Sequence, residues 1–277
     1  DVEACSWSNI PDEDFALADD NHWTIGQFVW TGFDYLGEPS PYDTNAWPNH
    51  SSMFGIIDLA SIPKDRYYLY RSVWNKKAET LHILPHWTWP GREGKVTPVF
   101  VYTNHPTAEL FINGKSYGKQ SKNNSSLKNR YRLMWMDAVY EPGEIKVVAY
   151  NKDGKAVAEK IVRTAGKPHH IELVSNRNEL TADGKDLAYI TVKVVDKDGN
   201  LCPADSRQIN FSVKGAGKYR AAANGDPTNL EQFHLPKMHT FNGMLTAIVQ
   251  SGETAGEIVL TAKASGVKVG NIRIQTK

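Results

Sequence analysis

The stretch GQFVWTGFDYLGEP, residues 26–39, decides how the chain is read. Taken with Thr24 and Ile25, its first half is TIGQFVW, an apolar run too continuous for a half-exposed edge and typical of a strand buried on both faces. Its second half carries two carboxylates, Asp34 and Glu38, set among glycines, a proline and further aromatics. The loop continues to Gly55, and loops of that length inside compact domains are uncommon and usually functional. Upstream, DEDFALADDNHW (residues 12–23) reads as a short helix whose acids suit its N-terminal dipole. Downstream, IIDLA is short and apolar, and SIPKDRYYLYRSVWN (residues 61–75) reads as a helix. Ser61 is placed to cap that helix, Pro63 suits its first turn, and Tyr67, Tyr70, Val73 and Trp74 recur at helical spacing. Helix, strand, long loop and helix make one βα unit of an α/β fold, preceded by the helix of another.

In a (β/α)8 barrel the active site lies at the C-terminal ends of the strands. Trp30 ends such a strand, and Asp34 and Glu38 follow in its loop. An indole offers a flat apolar face to the C–H face of a pyranose, and carboxylates accept hydrogen bonds from sugar hydroxyls. Spacing alone leaves a core tryptophan with two surface acids as the other reading.

The 277 residues are enough for two or three domains. Net charge is +1, which by itself gives no reason to expect a nucleic-acid partner, but it is unevenly spread: −7 over residues 1–77, +5 over 78–165 and +3 over 166–277. Five of the eight tryptophans precede Lys77, and none follows Trp135. Both shifts put a boundary near residue 77. No apolar run is long enough to span a membrane. The absence of an initiator Met or an apolar leader suggests that Asp1 lies inside a longer sequence or follows a removed segment. Cys5 and Cys202 read as two unpaired thiols, so they give no redox compartment.

After Lys77 the grammar changes to short strands separated by turns. TLHILPH, TPVFVYT, TAELFING, YRLMWMD, EIKVVAYN and KAVAEKIVR follow one another up to Arg163, without a helix. Ala108, Leu110 and Ile112 alternate with polar or exposed positions, as do Ile145, Val147 and Ala149. The pattern predicts an antiparallel sandwich over 78–165, and its repetition predicts a second over 166–277. The fold class is therefore mainly β: a terminal βα unit of a (β/α)8 barrel over 1–77, followed by two immunoglobulin-like β-sandwiches.

Other motifs carry less. DKDGN, residues 196–200, opens like a calcium loop, but position 12 is Arg207 rather than an acid, so it reads as a turn with Gly199 at positive φ. His169 and His170 are adjacent and should face opposite sides of a strand, and His82 and His86 lack a third ligand; no metal site and no cofactor is expected. KSYGKQSKNNSSLKNRYR, residues 115–132, carries Lys and Arg without an acid and reads as a solvated hairpin, with a glycan- or anion-facing surface as the sharper alternative. ANGDPTNLEQFHLPKMHTFNG, residues 223–243, reads as a packed structural loop, with a His- or aromatic-lined sugar site as its alternative.

GQFVWTGFDYLGEPSPY, followed by SSMFGIIDLASIPKDRYYLYRSVW, closely resembles the last strand, loop and helix of the catalytic barrel in glycoside hydrolase family 2, in its bacterial β-galactosidase-like branch. The two sandwiches resemble the C-terminal domains of that branch, with NGDPT and FNGMLTAIVQ matching the last one. The resemblance implies a retaining glycosidase, whose two glutamates stand about 5–5.5 Å apart as acid/base and nucleophile. Neither is found here. Asn178-Glu179 falls in the last sandwich, and DVEACSWSN around Glu3 lacks a barrel strand's apolar run, so both glutamates are expected upstream of Asp1. The resemblance makes Trp30 the sugar platform and Asp34 and Glu38 substrate contacts. It implies a β-galactoside-type oligosaccharide as the partner of the intact enzyme, a periplasmic or secreted bacterial location, and a homo-oligomer as an open expectation. The chain alone should not hydrolyse glycosides. The competing reading is a carbohydrate-binding or adhesive sandwich module, suggested by residues 115–132 with Trp87 and Trp89.

Overall fold

A computed structural model describes residues 3–39 and 47–277. The chain is mainly β and divides into two compact units, one of residues 1–32 and 63–164, the other of residues 33–62 and 165–277.

The first unit opens with α1 (Pro11–Asp20) and continues with α2 (Asp65–Trp74). Pro11 sits in the first turn of α1, and Asp12, Glu13 and Asp14 complement its dipole. The helix stops three residues before the expected Trp23. Asn21 turns extended and donates its side-chain amide to Leu17 O (2.9 Å), and the Thr24 hydroxyl donates to Asn21 O (2.8 Å), so the last carbonyls are already satisfied. α2 starts later than the sequence suggests. Ser61 takes a positive φ of 62°, Pro63 precedes the helix, and Lys64 is the N-cap residue without a side-chain cap. The buried face of α2 is Leu69, Tyr70 and Ser72, while Trp74 stays partly exposed. Phe15 of α1 packs edge-on against Tyr70 (5.1 Å between centroids), Trp74 (6.1 Å) and Tyr131 (5.2 Å).

TIGQFVW is not a strand among the described residues. Residues 24–29 are irregular, and Ile25, Phe28 and Trp30 are exposed. Apolar character alone does not make a strand; a backbone ladder and a covering face are also needed, and neither is present for this segment among the described residues.

The sandwich of the first unit has two antiparallel sheets. One is β1 (Leu81–Leu84), β2 (Val99–Thr103) and β5 (Leu133–Trp135), in that order. The other runs β4 (Lys115–Ser121), β3 (Thr107–Ile112), β6 (Glu144–Tyr150), β7 (Ala156–Arg163). Ala108, Leu110 and Ile112 pair with Ala149, Val147 and Ile145, and all six are buried, as period-2 alternation requires. Trp87 and Trp135 complete this core; their indole N–H groups donate to Glu141 O (2.9 Å) and Gly118 O (3.1 Å). The stretch read as a solvated hairpin begins with β4, the exposed second strand of an antiparallel hairpin with β3, but continues into a short helix, α3 (Leu127–Tyr131), so this region is not free of helix.

The second unit also has a two-sheet core. Strands β12 (Gly217–Ala223), β14 (Met244–Ser251), β10 (Leu187–Val195) and β8 (His170–Ser175) form one sheet. Strands β13 (Lys237–His239), β11 (Gln208–Gly215), β15 (Gly256–Lys263), β16 (Gly270–Thr276) and β9 (Glu179–Leu180) form the other. Ile190 and Val192 face Ala247 and Leu245 across β10 and β14, and all four are fully buried. DKDGN is a turn: Asp196 N–H donates to Asn200 O (2.9 Å), and Gly199 has φ 84°. The Asp196 carboxylate accepts N–H bonds from Asp198 (2.9 Å), Asn200 (2.9 Å) and Gly166 (2.8 Å), with the Asn200 amide at 3.0 Å. Burial works against its ionised form, but these donors win and lower its pKa to about 2. His169 and His170 do not diverge as alternation predicts. His169 precedes β8 and is not bound by its pleat, so the two Nδ1 atoms meet at 3.0 Å.

Candidate functional site

Trp30 belongs to the first unit and is 74% exposed. Asp34 and Glu38 belong to the second, within residues 33–62. The two acids differ sharply. Asp34 is buried, and its Oδ1 accepts the Gly55 N–H at 2.8 Å. Glu38 is exposed and accepts the Tyr35 hydroxyl. Asp34 therefore ties one side of the loop to the other, while Glu38 keeps a carboxylate at the surface.

The two sides are laced along their length. Asp34 N–H donates to Ile57 O (2.9 Å), Ser52 N–H to Tyr35 O (2.8 Å), and Gly37 N–H to His50 O (2.9 Å). Tyr35 N–H donates to Ser52 Oγ (3.1 Å). The two sides approach so closely at Gly55 that a Cβ there would lie 2.1 Å from Asp34 N, so only glycine fits.

The laced loop rests on the last sandwich and on the insertion over residues 223–243. His50 N–H donates to Pro227 O (3.1 Å), and the Thr246 hydroxyl of β14 donates to Ala60 O (2.6 Å). Asp58 organises the far end, its Oδ1 accepting N–H bonds from Ala60 (2.8 Å) and Ile62 (2.9 Å). Gly225 passes so close that a Cβ would fall 2.0 Å from Asp58 Oδ2. Gly225, Pro227 and Thr246 thus support the loop. Sequence reading missed them because the contact closes over more than 160 residues of chain; the NGDPT turn is the one local trace of it.

Where loop, insertion and β12 meet, a cleft of about 650 Å³ opens, with Leu36 and His50 on one side and Leu230 and Phe233 on the other. Arg220 stands in it. A register shift between Tyr219 and Ala221 leaves Arg220 as the extra residue of a β-bulge on edge strand β12, and bulges re-aim the bulged side chain. The insertion is fixed to β12 by Ala222 N–H donating to Phe233 O (2.8 Å) and the Tyr219 hydroxyl donating to Leu235 O (2.6 Å). A second hollow of about 510 Å³ continues along β12 past Lys218 and Gln250, sharing Arg220 and His234 with the first. Neither Arg220 nor Lys218 has an acidic partner among the described residues, and Glu231 is engaged by His239 through its N–H and Nδ1, both at 2.9 Å. The sequence signal for these two cations was weak: alternate basic residues in KYR just ahead of the insertion.

The other sugar-site alternative fares differently. Trp87 is fully buried, and Trp89 stacks on His86 at 4.0 Å. Arg132 is buried and held by Asp12; Arg130 donates to both Asp20 oxygens (2.9 and 2.8 Å). Lys119 lies over the Tyr150 ring at 4.0 Å. Lys122 donates to Thr103 O, and burial, with Lys76 adding repulsion, lowers its pKa to about 8. Cys5 and Cys202 are both free thiols, and burial raises the Cys202 pKa to about 11. No group of three or more His, Cys, Asp or Glu side chains converges among the described residues.

Comparison with known proteins supplies the family. Residues 171–273 match the model for glycoside hydrolase family 2 C-terminal domain 5, and residues 94–158 match a domain of unknown function (DUF4982). The chain is 43% identical over 272 residues to the β-galactosidase BoGH2A of Bacteroides ovatus, covering 98% of this chain and 31% of that protein. A relative in Formosa agariphila, provisionally named a β-glucuronidase, is 36% identical over 211 residues, 75% of this chain and 20% of that protein. Among solved structures, a β-glycosidase from Bacteroides vulgatus superposes with a TM-score of 0.86 at 35% identity, covering 96% of this chain and 32% of the other. The chain thus spans about a third or less of the length of these relatives.

Proposed function

The chain belongs to glycoside hydrolase family 2, as a C-terminal portion, and from that premise we propose that the enzyme it forms part of is a retaining β-galactosidase. The observation that carries this reading is the 43% identity to the β-galactosidase of Bacteroides ovatus across 98% of the chain, against 36% across 75% for the relative named for glucuronides. Retaining chemistry needs two carboxyls about 5–5.5 Å apart, one protonating the leaving oxygen and one attacking the anomeric carbon. In this reading both glutamates come from sequence preceding Asp1.

This chain's own residues then serve the substrate. Trp30 presents an exposed indole to the apolar face of the sugar. Glu38, exposed in the laced loop, accepts a sugar hydroxyl. Asp34 is a positioning residue: it holds Gly55 and so fixes the loop that carries Glu38. The last sandwich buttresses that loop through Pro227 and Thr246.

Assays of the intact enzyme and of the 277-residue chain on nitrophenyl glycosides test the reading. The intact enzyme should cleave the β-galactoside far faster than the β-glucuronide, and the chain alone should cleave neither. A reversed preference overturns the galactosidase assignment. Turnover by the chain alone overturns the placement of the glutamates.

A further inference from the structure

We propose that the cleft between Leu36 and His50, the bulge at Arg220 and the insertion at residues 229–234 is a binding site for an anionic saccharide unit, one bearing a carboxylate or a sulfate. That the ligand is a saccharide rests on the family reading under Proposed function; its charge is inferred from the cleft alone.

Size comes first. The cleft of about 650 Å³ falls in the range of sites that hold small ligands, and the adjoining hollow of about 510 Å³ extends it along β12. Its walls supply the apolar half of sugar recognition. Leu36, Leu230 and Phe233 are 47%, 57% and 38% exposed there, and an aromatic face beside aliphatic side chains matches the C–H face of a pyranose. His50 is prearranged: its Nδ1 lies 2.9 Å from Pro48 O, which can only accept, so Nδ1 carries a proton and Nε2 is left for a ligand.

Charge decides the rest. Arg220 and Lys218 project from alternate exposed positions of β12 without an acidic partner among the described residues, and His234 adds a third basic group. Glu231 also lines the cleft, but its carboxylate is hydrogen-bonded to His239 and makes no ion pair with Arg220 or Lys218 among the described residues. A bulge that places a guanidinium with no acidic partner among the described residues in a cleft lined by Leu36, Leu230 and Phe233 gives a planar donor fork for a bidentate oxyanion. A neutral sugar can accept single N–H bonds there but not the charge-assisted bidentate pair that an oxyanion makes.

The test is a calorimetric titration of the 277-residue chain at low salt with three disaccharides. One carries glucuronic acid, one carries a sulfate ester, and the third is uncharged galactobiose; inorganic sulfate is run beside them. An anionic disaccharide should bind at least about tenfold more tightly than galactobiose, with the preference shrinking as salt is raised. Which of the two anions is preferred assigns the natural group as carboxylate or sulfate. Arg220→Ala should abolish the preference, Arg220→Lys should keep part of it, and Phe233→Ala should weaken all three sugars; unfolding midpoints confirm that each variant is folded. Equal binding of galactobiose, an Arg220→Ala variant that keeps the preference, inorganic sulfate binding as tightly as the sulfated sugar, or no heat with any ligand each overturns the proposal. Failure here leaves the nitrophenyl glycoside assays untouched, and failure there leaves these titrations untouched, so the two readings fall separately.

Discussion

Residues 115–132 and residues 218–234 both carry cations, the first without an acid and the second with two cations and two acids, and they treat those cations in opposite ways. In the first, four of the six cationic side chains are already engaged. Arg132 is buried against Asp12, Arg130 grips Asp20, Lys119 covers Tyr150, and Lys122 reaches a backbone carbonyl. In the second, Arg220 lines the cleft and, with Lys218, its adjoining hollow, neither with an acidic partner among the described residues. The first segment looks more like an anion site in sequence, because it holds more Lys and Arg and no acid. The difference teaches that density of charge along a chain does not mark a binding surface. What marks it is charge left unpartnered after the fold has used what it needs.

The hardest blow to this comparison falls on Asp12. The carboxylate and the Arg132 guanidinium have fully buried side chains and meet in a bidentate pair across 120 residues of chain. Asp12→Ala leaves a buried guanidinium whose main partner is gone and should destabilise the first unit by about 3–5 kcal/mol in urea unfolding. Replacing both residues with apolar ones of similar volume should recover much of that loss. A loss for Asp12→Ala below about 1 kcal/mol would mean the pair behaves as a surface ion pair, and the first segment's cations would no longer count as bound into the fold.

An acid in the second unit sharpens the same rule. Asp196 is buried with four donors around it, and its pKa is lowered from 3.8 to about 2. A depressed carboxylate stabilises the fold fully above its unfolded pKa, and that contribution is lost as pH falls through the folded value. The window is therefore about pH 4 down to about pH 2, and the amount is about 2 kcal/mol. Asp196→Asn turns one acceptor into a donor facing the Gly166 N–H or the Asn200 amide, so it should lose about that much at pH 7. Unfolding curves collected through the window should fall less steeply for the variant than for the natural chain. Parallel curves would show that the four donors do not act on the charge.

The sandwich cores were legible in sequence because a pleated strand puts alternate residues on one face. Ala108, Leu110 and Ile112 could be read as a buried row before any partner was known, and the turn at DKDGN followed from its glycine. Trp87 is a core residue for the same reason that it looked like a sugar platform: both roles need a large flat apolar side chain. Strand β12 was missed because KYRAAA lacks the β-branched residues that announce a strand; it is a strand because β14 is there to pair with it. TIGQFVW fails in the opposite direction, with strand composition but no ladder among the described residues. The candidate site was half legible. Asp34 and Glu38 could be picked out as acids in a long loop. That one would be buried against Gly55 and the other left exposed depends on a closure of the chain that no local pattern reports.

The smallest expected effect is the most discriminating. Arg130→Ala removes a forked contact with Asp20 and should lower the unfolding midpoint slightly at low salt, with the difference fading as salt screens the pair. Arg220→Ala removes a cation that pairs with no acid among the described residues and that shares its cleft with His234 and its strand face with Lys218. Its midpoint should stay level or rise slightly at low salt, because repulsion from Lys218 is relieved and no ion pair among the described residues is lost. The two variants should therefore move apart at low salt and converge at high salt. If Arg220→Ala instead falls in step with Arg130→Ala, then Arg220 is anchoring the bulge or the insertion. In that case the second segment is using its charge for structure as the first does, and unpartnered cations no longer distinguish the cleft.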